Sequence, residues 1–280
     1  VRRRRRTVEI VTAYVSAFEL FSIGVGPSSS HTVGPMRAAN DFAARLAASG
    51  ALGRVARVTC DLYGSLGATG IGHGTPDAIV VGLQGMAPET VDPVAVREAW
   101  ARWPEGGTLA LSGTHPIAFA KPDIRFEPFT RKPEHPNAMT LTALDAAGGV
   151  VAEDTYFSVG GGFIKRQGAP EEAAGEEYPF RFTSADALLA LCAEHDLSIA
   201  GLARRNEESR RSRDDVDAGL DAIWRAMDGC IEAGLHADGM LPGILQVRRR
   251  AGMIREQLDD GVGQVALPGD WLGAYALAVN

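Results

Sequence analysis

Four short blocks concentrate the side chains able to do chemistry. The first, "FSIGVGPSSSHTVGPMRAAN" from Phe21 to Asn40, sets Ser28, Ser29, Ser30, His31 and Thr32 ahead of a helical pattern. Thr32 is the expected N-cap, and Pro35 falls in the first turn, where its missing N–H costs nothing. Met36, Ala39, Ala43 and Leu46 then make the buried stripe of a helix ending near Gly50. The opening turn of such a helix has N–H groups without acceptors and the positive end of the helix dipole, which together suit an anion. The serine hydroxyls add donors, His31 adds a donor or a base, and Gly24 and Gly26 allow close backbone approach. A small carboxylate or phosphate is the ligand this chemistry fits. The same residues also fit a serine-rich capping loop with no ligand. A Ser–His nucleophile pair is a further alternative, although such pairs are built in space rather than along the chain.

The other blocks are also glycine- or proline-bound. "GSLGATGIGHGTPDAI" holds His73 between Gly72 and Gly74, a place for a general acid or base near neutral pH or for a flexible loop. "KPEHPNAM" puts His135 and Asn137 on either side of Pro136, which stiffens the loop and keeps His135 extended. "YFSVGGGFIK" ends a strand with Ser158 and Gly160 to Gly162. It is not followed by a helix and lacks the GxGxxG spacing, so it gives no dinucleotide fingerprint, and no Walker phosphate loop is found. His115, His195 and His236 have no supporting context and are expected at the surface or in the core. The "NEES" run at Asn206 and the arginines Arg248 to Arg250 have no specific reading, the latter fitting a solvated basic face.

The elements that must hold these blocks come in two kinds. "RVTCDLY", residues 57–63, alternates Val58, Cys60 and Leu62 on one face, as a strand does. Met139, Leu141 and Ala143 alternate likewise, Gly148-Gly149 supplies a turn, and Val150 to Val159 returns, which predicts a hairpin. Residues 166–181 are rich in Glu, Gly, Pro and Ala and read as a linker. Beyond them the period becomes helical. Thr183 and Asp186 have capping-box spacing, and Val216, Leu220, Ile223, Met227, Cys230 and Ile231 predict a helix stopped by Gly234. The length of 280 residues is a prior for about two domains. The expected fold class is therefore an α+β N-terminal domain followed by the beginning of an all-α domain.

Charge and composition exclude several classes. A net charge of -7 argues against nucleic acid as a partner. No apolar run reaches membrane-spanning length, so no membrane partner is expected. Glu9 and Glu19 interrupt the apolar stretch after the Arg2–Arg6 run, which reads as a solvated extension rather than a signal peptide. The three cysteines, Cys60, Cys192 and Cys230, are far apart, without a CxxC pair. That usage suits a reducing, cytoplasmic setting and gives no local metal site. No carboxylate–histidine spacing supports a metal-dependent hydrolase built on His73 and His135.

Taken in order, "FSIGVGPSSSHTVGPMRA", "DLYGSLGATGIGHGT", "EHPNAM", "YFSVGGGF" and "LPGILQVRRRA" resemble the bacterial iron–sulfur L-serine dehydratases, or L-serine ammonia-lyases, from about Ser16 to Asn280. The resemblance implies loss of water from L-serine, giving pyruvate and ammonia, in a cytoplasmic homodimer. It implies a [4Fe–4S] cluster acting as Lewis acid rather than pyridoxal phosphate. None of the three lysines, Lys121, Lys132 and Lys165, lies in a recognisable pyridoxal-phosphate motif. It also implies a first domain similar to the allosteric substrate-binding domain of some phosphoglycerate dehydrogenases. His73 matches the family's candidate base, and His135, Asn137 and Ser158 match polar residues that line or support the site. Ser28, Ser29, Ser30, His31 and Thr32 match its substrate-binding turn. Two departures stand out. In the family an acidic residue directly follows the His-Gly-Thr run, whereas here Pro76 intervenes before Asp77. The family's cluster cysteines match none of the three present and are expected beyond Asn280, so the chain reads as the N-terminal portion of the enzyme. The expected division is an extension over 1–15, an α+β domain over 16–165, the linker, and a helical domain over 182–280. The competing function is a non-catalytic module that binds serine or a small anion.

Overall fold

The computed structural model describes residues 12–170, 178–240 and 247–259. The arginine run, part of the linker, residues 241–246 of the "LPGILQVRRRA" block and the apolar end from Trp271 lie outside the described residues. The chain divides into two compact units: residues 22–169 together with the chain from 229, and residues up to 21 together with 170–228.

In chain order the helices and strands are α1 (Ala17–Leu20), α2 (Gly34–Ala48), β1 (Arg57–Tyr63), α3 (Gly64–Thr69), α4 (Thr75–Leu83) and α5 (Pro93–Val96). They continue with β2 (Thr108–Leu111), β3 (His115–Ala118), β4 (Ile124–Glu127), β5 (Asn137–Leu144), β6 (Val150–Gly160) and β7 (Phe163–Arg166). The remaining helices are α6 (Ala185–Glu194), α7 (Ile199–Glu208), α8 (Arg213–His236) and α9 (Ala251–Asp259). A mixed-sheet α+β region thus precedes a helical one.

The sheet has seven strands in the order β2-β3-β1-β5-β6-β7, with β4 also pairing β1. β1 runs parallel to β3 and β4 and antiparallel to β5. The β5–β6 hairpin pairs Ala138 with Phe157 at its open end. Val58, Cys60 and Leu62, the alternating residues of β1, are all buried in one core with Phe42 and Leu46 of α2 and Ile79 and Leu83 of α4. A second, smaller core joins Val25 and Met36 to Ala78, Val81 and Val96. Each buried aliphatic side chain contributes roughly 1.5–3 kcal/mol, so α2 and α4 are fixed by apolar burial and hold their N-termini at one end of β1.

In the other unit, Asn206 and Glu207 of α7 are buried polar residues, at 0% and 3% exposure. The Asn206 amide exchanges two hydrogen bonds with the Phe180 backbone, both 2.9 Å. Glu207 accepts from the Tyr14 hydroxyl (2.7 Å), the Ser16 hydroxyl (3.0 Å), the Ala17 N–H (3.0 Å) and Arg211 (2.9 Å). The "NEES" run is thereby explained as a clasp for residues 14–17.

Three helix boundaries differ from the sequence expectation. α2 is preceded without a break by a single π turn, Ser29–Val33, and Ser28 rather than Thr32 is its cap, accepting from the His31 N–H. The N-cap of α6 is Ser184, one residue after Thr183, because the Ser184 hydroxyl reaches the Ala187 N–H. Gly234 does not stop α8, which runs to His236. Among the described residues no helix is long and apolar enough to cross a membrane.

Candidate functional site

The site lies within the sheet-bearing unit, where four pieces of chain meet beside the C-terminal end of β1. The first is the π turn. The segment 29–48 winds continuously, so the N–H groups of Ser29 and Ser30 are at its start and have no intrahelical acceptor. The Ser28 hydroxyl takes the next donor, the His31 N–H, at 3.1 Å. The Ser28 N–H in turn donates to the Thr32 hydroxyl at 3.3 Å. π turns inserted in helices recur at functional sites, since the widened turn redirects side chains.

The second piece is α3 with the turn Ile71–His73, and the two histidine segments are stitched together crosswise. The Thr32 hydroxyl donates to the His73 carbonyl at 2.7 Å, and the Thr75 hydroxyl donates to the His31 carbonyl. Both threonines are buried, at 1% and 0% exposure. The imidazoles of His31 and His73 consequently lie 4.8 Å apart, centroid to centroid, tilted by 41°.

The two rings are held differently. His73 Nδ1 is 2.9 Å from the Thr69 carbonyl. A carbonyl only accepts, so in the neutral ring Nδ1 carries the proton and Nε2 carries the lone pair. His31 has both nitrogens engaged by hydroxyls, Nδ1 with Ser30 at 2.9 Å and Nε2 with Ser65 at 3.0 Å. Burial, and then the neighbouring His73, lower the His31 pKa from its ordinary value, favouring the neutral imidazole.

The third and fourth pieces are the loop before β5 and the end of β6. The Asn137 N–H donates to His135 Nδ1 at 3.1 Å, which leaves the neutral His135 ring with its proton on Nε2. The Asn137 amide donates to the Ser158 carbonyl at 3.4 Å. This pair joins the histidine pair through backbone: the Ser65 N–H donates to the Pro136 carbonyl at 3.0 Å, and Gly64 bridges Asn137. Gly64 has a φ of 51°, and a Cβ there would come within 2.6 Å of the Pro136 carbonyl, so only glycine permits the approach. The Ser158 hydroxyl is buried against Gly34 and has no hydrogen-bond partner. A Cβ on Gly162, at φ 79°, would come within 2.7 Å of the Val33 side chain, while Arg37 donates to the Gly162 carbonyl at 2.7 Å and ties the glycine turn to α2.

The residues chosen from sequence are therefore brought to one region, with differing exposure to it. Ser28 to Thr32 and His73 form one hydrogen-bonded group, and His135 joins through the backbone of its loop rather than through its ring. Asp77 turns away: its carboxylate accepts from the N–H groups of Trp100 (2.7 Å) and Ala101 (3.2 Å). Burial raises its pKa, against the opposing pull of those two bonds. Sequence reasoning missed Ser65, Thr69 and Thr75. Each reads locally as an ordinary hydroxyl near a helix end.

The donor set for an iron–sulfur cluster can be tested directly. Cys60 is fully enclosed in the β1 core, and burial pushes its thiol pKa up, away from the thiolate a cluster needs. Cys192 is buried on α6, and Cys230 is exposed on α8. Among the described residues no three His, Cys, Asp or Glu side chains are grouped to hold a metal. The residues present do not fit such a cluster.

Comparison with known proteins defines the class. The family profile described as the serine dehydratase beta chain matches residues 16–169, and that of the serine dehydratase alpha chain matches residues 194–280. The chain belongs to the bacterial L-serine dehydratase family. An L-serine dehydratase of Streptomyces coelicolor is 46% identical over 95% of this chain and 60% of its own length. The L-serine dehydratase TdcG of Escherichia coli is 42% identical, and an L-serine dehydratase of Helicobacter pylori 36%, both over 95% of this chain and 60% of their own. The chain thus spans 60% of the length of these relatives.

Proposed function

We propose that this chain binds L-serine and removes its α-proton in an L-serine dehydratase, a lyase that eliminates water to give pyruvate and ammonia. The substrate carboxylate is received by the Ser29 and Ser30 N–H groups at the start of the π turn, with the serine hydroxyls as further donors. His73 Nε2 takes the α-proton. His135 presents an N–H donor from the opposite loop, and Asn137 and Ser158 support that loop. The β-hydroxyl leaves as water with the proton that His73 has taken from the α-carbon, which returns His73 to its neutral form and yields aminoacrylate, whose imine tautomer is hydrolysed by water to pyruvate and ammonia. The [4Fe–4S] cluster that the family implies would take its ligands from outside the residues of this chain. Residues 16–165 act as a substrate-binding domain similar to an allosteric substrate-binding domain. Residues 166–181 link it to the helical domain that begins at 182, and the working protein is a homodimer.

The observation that supports this reading most is the tautomer of His73. Its Nδ1–H is committed to the Thr69 carbonyl, leaving a lone pair on Nε2, and imidazole is the side chain best matched to proton abstraction near neutral pH. The names of the relatives, all L-serine dehydratases, supply the substrate. The test is calorimetric titration of the chain with L-serine, D-serine and acetate. L-serine is expected to bind, and His73→Gln to leave binding within about threefold while lowering turnover of the whole enzyme about 10²–10⁴-fold. An absence of L-serine binding, or full turnover by H73Q, overturns the proposal.

A further inference from the structure

We propose that Ser65 is the positioning residue of the site, the one side chain and backbone unit that sets all three histidines; the link to catalysis rests on the function proposed above. Three separate bonds carry the inference. The Ser65 hydroxyl is paired to His31 Nε2 at 3.0 Å. The Ser65 N–H donates to the Pro136 carbonyl at 3.0 Å, next to His135 and Asn137. The Ser65 carbonyl accepts from the Thr69 hydroxyl at 3.0 Å, and the Thr69 carbonyl accepts from His73 Nδ1–H at 2.9 Å. Each histidine is thus one or two bonds from the same residue.

The location gives Ser65 the rigidity that positioning needs. It follows Gly64, whose left-handed φ makes the sharp exit from β1. It precedes Leu66, which is completely buried in the main core. Its backbone is therefore fixed from both sides before its side chain does anything. Ser30 alone cannot orient the His31 ring, because it adjoins His31 in sequence and moves with it. Ser65 lies 34 residues away and supplies the outside reference. With both nitrogens of His31 engaged, the ring has only its face to offer, and it offers that face to His73. Ser65 does not touch the reacting atoms. It sets the His31 face against which the His73 ring lies, while the Thr69 carbonyl fixes the His73 tautomer.

The test uses Ser65→Ala, Ser65→Cys and Ser65→Thr, read by ¹⁵N-edited NMR of the histidine rings and by L-serine titration. S65A removes the hydroxyl and leaves both backbone bonds, so the expected result is a shift of the His31 and His73 ring signals with those of His115, His195 and His236 unmoved. S65C, which keeps the volume and loses most of the bond, gives the same pattern and decides the matter should S65A not fold. S65T, which keeps the hydroxyl, restores the wild-type ring signals. L-serine binding weakens about 3–10-fold in S65A and S65C, the fold-change for one hydrogen bond, and returns to within twofold in S65T. Unchanged His31 and His73 signals in S65A or S65C, or an S65T spectrum equal to that of S65A, overturn the proposal. If wild-type protein binds no L-serine, the functional reading fails while the ring signals still decide the positioning claim.

Discussion

The substitution Gly34→Ala puts the packing at the start of α2 to a quantitative test. Gly34 has an ordinary helical φ of −58°, so backbone strain plays no part. Helix propensity alone then predicts a gain of about 0.5–1 kcal/mol on replacing glycine by alanine. Packing predicts the reverse. A Cβ at position 34 would lie 2.1 Å from the Ser158 hydroxyl oxygen and 2.9 Å from its Cβ, where contacts settle at about 3.5–4.0 Å. Ser158 is 3% exposed within β6 and has nowhere to retreat. Overpacking of this kind costs about 1–3 kcal/mol, so the net change is a loss on the order of 1–2 kcal/mol. At about 2–4 °C per kcal/mol for a chain of this size class, the melting temperature should fall by about 2–8 °C. Ser158→Ala alone should be nearly neutral, since the deleted hydroxyl is buried without a partner. The double mutant G34A/S158G removes both clashing atoms and should recover at least half of the loss beyond the cost of S158G itself. Urea unfolding followed by circular dichroism measures all four corners of the cycle. A higher melting temperature for G34A, or no coupling between the two positions, would refute the packing account.

Four further outcomes follow from the same contacts. Gly82→Ala at the crossing of α2 and α4 would bring a Cβ within 2.4 Å of the Met36 carbonyl and 2.9 Å of the Ala39 Cβ. A loss at or above about 3 kcal/mol is expected in urea melts, and a neutral result would mean the helices can separate freely. Thr32→Val and Thr75→Val each strip a carbonyl of its buried donor and should cost about 1–2 kcal/mol; unaltered urea midpoints would show the crosswise stitching to be unimportant. Burial, and then the neighbouring His73, hold the His31 pKa below its ordinary value, so the unfolded chain binds more protons there. Stability supplied by this group is complete above about pH 6.5 and is lost as pH falls through the folded value, a slope that His31→Gln should flatten in melts recorded from pH 8 to 5. Glu207→Ala should cost about 2–4 kcal/mol by stranding Tyr14, Ser16 and Arg211 and should open residues 14–17 to limited proteolysis. Equal cleavage rates in wild type and variant would end that account.

The sheet was more legible than the helix starts, and the reason is physical. In β1 and in the β5–β6 hairpin, alternation with period two coincides with a turn at Gly148-Gly149, so local and tertiary signals agree. At the start of α2 they compete. Thr32 has the right chemistry to cap a helix, yet its hydroxyl is used on the His73 carbonyl, and Ser28 caps one π turn earlier. A wide turn cannot be read from a pattern that assumes 3.6 residues per turn. The apolar stripe of α8 was legible as a helix, but Leu220, Met227 and Ile231 on it are more than one-third exposed, because periodicity reports a face and not what covers it. Asp77 illustrates the limit of neighbourhood along the chain: four residues from His73, it serves the Trp100 and Ala101 N–H groups instead.

The histidines divide the same way. By sequence His31 and His73 are alike, each an imidazole beside small residues, and both invite the role of base. The distinction lies in which atoms their neighbours leave available. Hydroxyls can donate or accept, so Ser30 and Ser65 together satisfy either tautomer of His31 and leave neither nitrogen over. A carbonyl can only accept, so Thr69 fixes His73 in one tautomer and leaves its Nε2 uncommitted in that bond. Two rings 4.8 Å apart in a half-buried place resist being charged together. Burial and the neighbouring His73 favour the neutral form of His31, whose two ring nitrogens are both engaged. The asymmetry between a hydroxyl and a carbonyl, supplied by Ser30, Ser65 and Thr69, is what distinguishes the two imidazoles.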